Sequence, residues 1–206
     1  MDDDTRTAYE RGAASYAQEW EDEQDAPTDL YDLLAEFFTP GTAFDVGCGS
    51  GRDAAWLSAH GYQVTGFDAS PALLEQARRR HPGTRFETAT LPDLAELTGR
   101  SAANVLCETV LMHLPLADIG RGAARLYDLV EPGGVLYLSW RVTTGADVRD
   151  DAGRLYTAFP AGLIREALNG AVVLHDAEQR SASSGKVIHR VIVRRPARAT
   201  GRGRPV

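Results

Sequence analysis

Between the apolar run TAFDV (42–46) and a helical pattern opening at Arg52, the chain sets glycine at three alternate positions, Gly47, Gly49 and Gly51. Glycine accepts positive φ and leaves bare main chain for a ligand to approach, so the spacing predicts a tight strand-to-helix turn with a ligand against it. Around the turn, short apolar runs alternate with helical patterns. Strands are expected at 42–46, 63–68, 84–89, 104–108, 134–140, 171–176 and 186–194. Helices are expected at 52–60, 71–80, 91–98, 116–129 and 160–168, with two more near 5–24 and 28–38. Ser70 before Pro71 is a cap-then-proline helix start, Gly61 ends the helix after the glycine turn, and Pro132-Gly133-Gly134 is expected to close the helix at 116–129. The alternation predicts an α/β fold, a Rossmann-like, mostly parallel sheet with helices on both faces and an N-terminal helical cap over residues 1–40.

In such a sheet the first strand-to-helix turn is where ligands bind. A phosphate-cradling loop of the form GxxxxGK[ST] fails here for want of its lysine. The dinucleotide form GxGxxG needs glycine where Arg52 stands. Asp45, two residues ahead of the first glycine, would repel a pyrophosphate in a partly desolvated site. A cationic ligand meets no such penalty. S-adenosylmethionine (SAM), with an ammonium and a sulfonium, suits this approach. Asp45, Gly47, Cys48, Gly49, Gly51 and Arg52 are therefore the expected cofactor contacts of this turn.

Strand 63–68 ends in Asp68, about twenty residues after the loop, where an acid accepts from both ribose hydroxyls. Ala69 and Ser70, which follow it at the same end of the strand, are expected cofactor contacts as well. An NAD enzyme would use the same acid, so Asp68 indicates an adenosine without deciding which kind.

The run FDVGCGSGRDAAWLSAHGYQVTGFDAS (44–70) resembles the first motif and acidic second-strand end of class I SAM-dependent methyltransferases. VLCETVLMHLP (105–115) is similar to their segment after strand four, and LVEPGGVLYLSWR (129–141) to the start of their strand five. The likeness runs from about Tyr9 to Arg141 and is nearest to small bacterial enzymes of the tellurite-resistance-like and general small-molecule type. It implies a seven-stranded sheet with the last strand antiparallel, SAM over the glycine loop and Asp68 on the ribose. The family often carries an acid beside the adenine where this chain has Ala89 or Thr90 in ETATLPDL. Adenine recognition is then expected from backbone at Thr90 and Leu91, or from the Thr90 hydroxyl. The C-terminal third carries no specific match.

Methyl transfer from a sulfonium needs mainly alignment and exclusion of water, so no obligatory catalytic motif is expected and none is visible. Near the ligand ends of strands four and five stand Glu108, His113 and Arg141. Glu108 is a candidate for the methionine part of SAM or an acceptor amine, His113 for a proton acceptor, Arg141 for an acceptor carboxylate. Tyr9 and Tyr16, seven residues apart, share a helix face that Trp20 continues; Tyr16 is the expected ligand contact. The polar, glycine-punctuated stretch 141–160 is long enough to serve as a substrate lid.

The 206 residues suffice for one buried core and carry a net charge of −7. A single domain is expected over 1–195, with a disordered basic tail at 196–206. The acidic balance argues against nucleic acid as a partner, and CETV (107–110) replaces the NPPY-type tetrad of amino-methylating enzymes. No apolar run approaches the roughly 20 residues that span a bilayer, so no membrane partner is expected. The acidic N-terminus is not a secretory leader, and Cys48 and Cys107 make neither a disulfide framework nor a metal site, which points to the cytoplasm. The acceptor is expected to be a small molecule; a homodimer is left open. Three rivals remain: a SAM-using cyclase that releases methylthioadenosine, a non-catalytic SAM- or nucleotide-binding protein, and an NAD dehydrogenase.

Overall fold

A computed structural model describes residues 1–197; most of the expected disordered tail, 198–206, lies outside the described residues. Seven strands form one sheet in the order β3-β2-β1-β4-β5-β9-β8. They are β1 (Thr42–Val46), β2 (Gln63–Asp68), β3 (Arg85–Thr88), β4 (Ala102–Cys107), β5 (Val130–Arg141), β8 (Val172–Arg180) and β9 (Val187–Arg194). Neighbours from β3 to β5 pair parallel, while β9 runs antiparallel to both β5 and β8. The expected antiparallel last strand is therefore present. The strand order reverses between β1 and β4, which opens a crevice beyond their carboxyl ends.

Helices cover both faces, so neighbouring residues of the central strands are both apolar and both buried. Val105 and Val191 face one core with Leu136, Leu138 and the inner side of α5 (Leu116–Asp128). Leu106 and Ile192 face the other, against Leu30 and Leu34 of α2 (Thr28–Phe37) and Leu57 of α3 (Arg52–Ala59). On α4 (Pro71–Arg80), Leu74 and Ala77 pack on Phe86 of β3. Ser70 caps α4 as expected, its Oγ accepting from Leu73 N at 3.2 Å. Gly61, at φ +89, ends α3. The adjoining Tyr62 amide reaches back to Leu57 O at 3.2 Å.

The N-terminal cap is α1 (Asp3–Gln18), continued by a π-helical turn at Glu19–Glu23, and then α2. Asp2 caps α1 by accepting from Thr5 N at 2.9 Å. Three polar contacts fasten this strap to α4: Ser70 to Glu10 at 2.5 Å, Arg80 to Asp22 at 3.1 Å and His81 to Glu21 at 3.1 Å.

Two expectations need correction. Residues 91–98 form no α-helix; only the 3-10 turn Ala95–Leu97 is present, because Pro92 lacks a donor and Leu94 sits at φ +46. Leu91, Leu94 and Leu97 are nonetheless buried. Pro132-Gly133-Gly134 does not close a helix, since α5 already ends at Asp128 and the triplet lies within β5. A Cβ on Gly134 would stand 2.4 Å from Ala103 O, so close strand packing demands glycine there. The stretch 141–160, read as a loop, contains a small hairpin of β6 (Val148–Arg149) and β7 (Leu155–Tyr156), followed by α6 (Ala161–Ala167).

Candidate functional site

The glycine turn curls over the end of β2. Gly47 N and Cys48 N donate to Phe67 O at 2.7 and 2.9 Å, and Gly49 N donates to Asp68 Oδ2 at 2.9 Å. Gly47, Gly49 and Gly51 all have positive φ. At Gly47 the requirement is also spatial: a Cβ would lie 2.3 Å from Val110 Cγ2. Asp68 therefore latches the loop, its second oxygen accepting from Ser70 N at 2.8 Å. This role in holding the turn adds to the ligand role expected from its spacing.

Beyond this turn lies a cavity of about 300 Å³. Asp45, Gly47, Cys48, Gly49, Arg52 and Asp68 line its loop side. Tyr16 enters from α1, Glu108 and Arg141 from the ends of β4 and β5, and His113 from the 3-10 turn Leu111–His113 that follows β4. The remaining predicted contacts stand off the wall. Gly51 caps α3, and a Cβ there would meet Phe86 at 2.7 Å. Ala69 lies in the turn between β2 and α4, and Ser70 is taken up with Leu73 N and Glu10. Thr90 O accepts from Leu94 N at 2.9 Å, and Leu91 O accepts from the Met1 ammonium at 2.6 Å.

Acid dominates the loop side. Asp45 is 2% exposed and its Oδ2 has no partner. Burial, then the charges of Asp53, Asp68 and Glu108, raises its pKa well above the carboxylate range. Burial also raises Asp68 and Glu108, against the hydrogen bonds that favour their charged forms. Among the described residues no cluster of three or more of these groups is arranged to hold a metal ion. Arg52, on the same side, is committed: its Nε donates to Asp53 at 3.1 Å, and its guanidinium lies 4.6 Å over the Trp20 ring. Tyr16 stacks on Trp20 from the other turn of the same strap, with ring centroids 5.6 Å apart.

Glu108 is held from below. Ser139 Oγ donates to it at 2.5 Å and in turn accepts from Thr109 N at 2.9 Å. Tyr137 also hydrogen-bonds to Glu108. Fully buried Arg190 donates to Tyr137 OH at 2.9 Å and pairs with Asp29 at 2.7 Å. A polar chain thus runs from α2 through the sheet to the cavity floor. Thr109 adopts φ +52, a rare conformation for a β-branched residue, next to the same carboxylate.

His113 is fixed on both nitrogens. Its Nδ1 lies 2.6 Å from Leu155 O, which can only accept, so the ring proton is on Nδ1. Nε2 is then the acceptor for Tyr9 OH at 3.0 Å. Burial lowers the His113 pKa to about 4, leaving the ring neutral at pH 7. The β6–β7 hairpin closes over it and is tied to the cap by Arg149–Asp2 at 2.9 Å and Leu155 N–Thr5 Oγ1 at 2.8 Å.

The comparisons fit this geometry. Residues 43–134 match the family described as a methyltransferase domain, and that span contains the glycine turn, Asp68 and Glu108. Over that span the chain is similar to a methyltransferase domain. A trans-aconitate 2-methyltransferase of Methylobacterium radiotolerans is 38% identical over 122 residues, covering 57% of this chain and 44% of that protein. A malonyl-[acyl-carrier protein] O-methyltransferase of Salmonella typhimurium is 29% identical, covering 63% of this chain and 50% of that one. The chain thus spans about half the length of these curated relatives, and they lend no support to the tellurite-resistance likeness. In fold, the chain is similar to the N-methyltransferase NodS of Bradyrhizobium japonicum, solved with S-adenosyl-L-homocysteine. The TM-score is 0.72 at 18% identity, over 94% of this chain and 100% of that one. It is also similar to a 1,6-didemethyltoxoflavin-N1-methyltransferase of Burkholderia thailandensis, with a TM-score of 0.67 at 22% identity over 94% and 88% of the two chains.

Several cavity residues escaped the sequence reading. Arg154 and Tyr156 reach it from the hairpin, and Ser181, Ser183, Ser184 and Lys186 from the β8–β9 turn. No spacing rule marks them; the serine-rich run SASSGK between two strand patterns was the one visible signal.

Proposed function

We propose that this protein transfers a methyl group from SAM to a small-molecule acceptor, working as a single domain over residues 1–195. The observation that carries the proposal is the unpartnered, buried Asp45 carboxylate facing a cavity that Asp53, Asp68 and Glu108 also make acidic. A pyrophosphate there would be repelled, whereas an ammonium and a sulfonium are attracted. A Cβ on Gly49 would come within 3.3 Å of Tyr16 Cε1, so the strap's ring lies close against bare backbone at the edge of the cavity.

Asp68 would hold the ribose, the Gly47–Gly49 backbone the methionine chain, and Asp45 with Glu108 its cationic groups. When bound, SAM supplies a methyl group on a sulfonium, an electrophile whose leaving group is already activated. Tyr16 and Trp20 close one side of the cavity and the β6–β7 hairpin the other, which excludes water from the reacting centre. His113, neutral and bonded on both nitrogens, orients Tyr9 rather than drawing a proton from an acceptor. The acidic net charge favours a small acceptor over a nucleic acid.

Calorimetry with S-adenosylhomocysteine and NAD, followed by product analysis with SAM, tests the reading. Tighter binding of S-adenosylhomocysteine and its release as product are expected. Methylthioadenosine as product would make the protein a cyclase, tighter NAD binding a dehydrogenase, and binding without turnover a non-catalytic binder.

A further inference from the structure

The cavity is divided by charge. Its acid side is built on the ends of β1, β2 and β4, where Asp45, Asp68 and Glu108 stand. Its opposite side, at the end of β5 and under the hairpin and the β8–β9 turn, carries Arg141, Arg154 and Lys186. These three cations differ in how far they are committed. Arg154 is held by Asp150, Nε to Oδ2 at 2.6 Å, and lies over Tyr9. Lys186 is exposed at the start of β9. Arg141 is half-buried, and its guanidinium lies 5.0 Å over the Tyr156 ring. Among the described residues it has neither an ion pair nor a side-chain hydrogen bond.

A half-buried guanidinium with its face on an aromatic ring keeps its edge donors for a planar partner. The nearby hydroxyls of Ser181, Ser183 and Ser184 are gathered by the turn, with Ser181 Oγ and Ser183 Oγ 3.2 Å apart, and offer further donors. A carboxylate matches the single uncommitted guanidinium in charge and shape. A phosphate would concentrate two charges at that one guanidinium in a cavity lined by five acids, whereas each carboxylate carries one.

We propose that Arg141, seated on Tyr156 and assisted by Lys186 and the β8–β9 turn hydroxyls, clamps a carboxylate of the acceptor, so that the substrate class is small carboxylic acids. The assignment rests on the SAM reading above, since it takes the acid side as the cofactor's half and leaves the cationic side to the acceptor.

The test titrates protein saturated with S-adenosylhomocysteine with succinate and tricarballylate. Succinamide, glycerol 3-phosphate and butane-1,4-diamine are titrated in parallel, against wild type, Arg141→Gln and Arg141→Lys. A carboxylate is expected to bind wild type more tightly than the other probes. Arg141→Gln should weaken it at least tenfold and Arg141→Lys less, with S-adenosylhomocysteine affinity within about twofold of wild type. Preference for the amide, the phosphate or the diamine overturns the assignment. So does an Arg141→Gln loss that falls on S-adenosylhomocysteine, which would give Arg141 to the cofactor's own carboxylate. A wild-type protein that does not take S-adenosylhomocysteine defeats the cofactor reading itself, an outcome distinct from these.

Discussion

Asp45→Asn should stabilise the unloaded protein and weaken its ligand. In the native fold Asp45 is 2% exposed, its Oδ2 lacks a partner, and Asp53, Asp68 and Glu108 all act against its charge. Asparagine keeps an oxygen for the Ala54 backbone N–H that Asp45 accepts and places an NH2 among acids instead of another negative charge. Leaving one buried polar group unsatisfied costs about 1–3 kcal/mol. Relief of about 2 kcal/mol in a chain of this size corresponds to a rise in Tm of roughly 4–8 °C. The effect has a definite pH dependence. A carboxyl whose folded pKa is raised has its stability in full below its unfolded value, near 3.9, and loses it as pH rises through the folded value. The advantage of asparagine is therefore largest at neutral pH and shrinks as pH falls toward 4. Binding moves the opposite way. A unit charge pair at 4 Å and an effective dielectric near 20 is worth at most about 4 kcal/mol. Losing even a third of that weakens S-adenosylhomocysteine about tenfold. Differential scanning calorimetry across pH, with isothermal titration at pH 7, measures both. An unchanged or lower Tm together with unchanged affinity would refute the argument and make Asp45 a scaffold residue.

Two further outcomes follow from the same cavity. Gly47→Ala drives a Cβ to 2.3 Å from Val110 at φ +83 and should cost about 2–4 kcal/mol of stability, read as a lowered Tm. Gly49→Ala meets only the Tyr16 ring at 3.3 Å; it should leave most of the stability but weaken S-adenosylhomocysteine, and equal effects at the two sites would contradict the cradle. The His113 pKa, lowered to about 4, makes the protein lose stability as pH falls from about 6.5 toward 4, because the unfolded chain takes up a proton that the native ring refuses. The loss amounts to about 3 kcal/mol. Denaturant unfolding of wild type and His113→Gln across that range should show the limb flattened in the variant, and parallel curves would mean that His113 titrates normally.

The sheet was legible because its strands are buried on both faces and separated by well-marked helix starts, as at Ser70-Pro71. The segment 91–98 was misread because the spacing of Leu91, Leu94 and Leu97 satisfies a helical pattern, while Pro92 and the left-handed backbone at Leu94 leave only a short 3-10 turn. On the loop side of the cavity, glycine spacing and strand-end acids are local signals, so Asp45 and Asp68 could be singled out. The acceptor side is assembled from β5, a two-residue-strand hairpin and a turn far along the chain. Arg154 and Lys186 meet there only through tertiary packing, and Arg141 was visible because it ends an apolar strand. The support of Glu108 by Tyr137 and Arg190 was invisible for the same reason: a tyrosine and an arginine in strand patterns say nothing of pairing across β5 and β9.

The division of charge also explains why the fold tolerates an arrangement that harms it. Crowded, desolvated carboxylates oppose one another in the empty cavity, and the two apolar cores on either face of the sheet must offset that cost. Arg52 does not relieve it, because Asp53 and Trp20 already hold its guanidinium. Proton uptake relieves part of it, as the raised pKa of Asp45 shows, and a bound cation would relieve the rest. Ligand binding and stability are then linked, and a ligand at 100 times its Kd adds about 2.7 kcal/mol to the fold. A cationic ligand gains from the acids on one side of the cavity while an anionic partner is repelled there and directed to Arg141 on the other. The same unfavourable acids that weaken the empty protein thus sort two differently charged molecules into adjoining halves of one cavity.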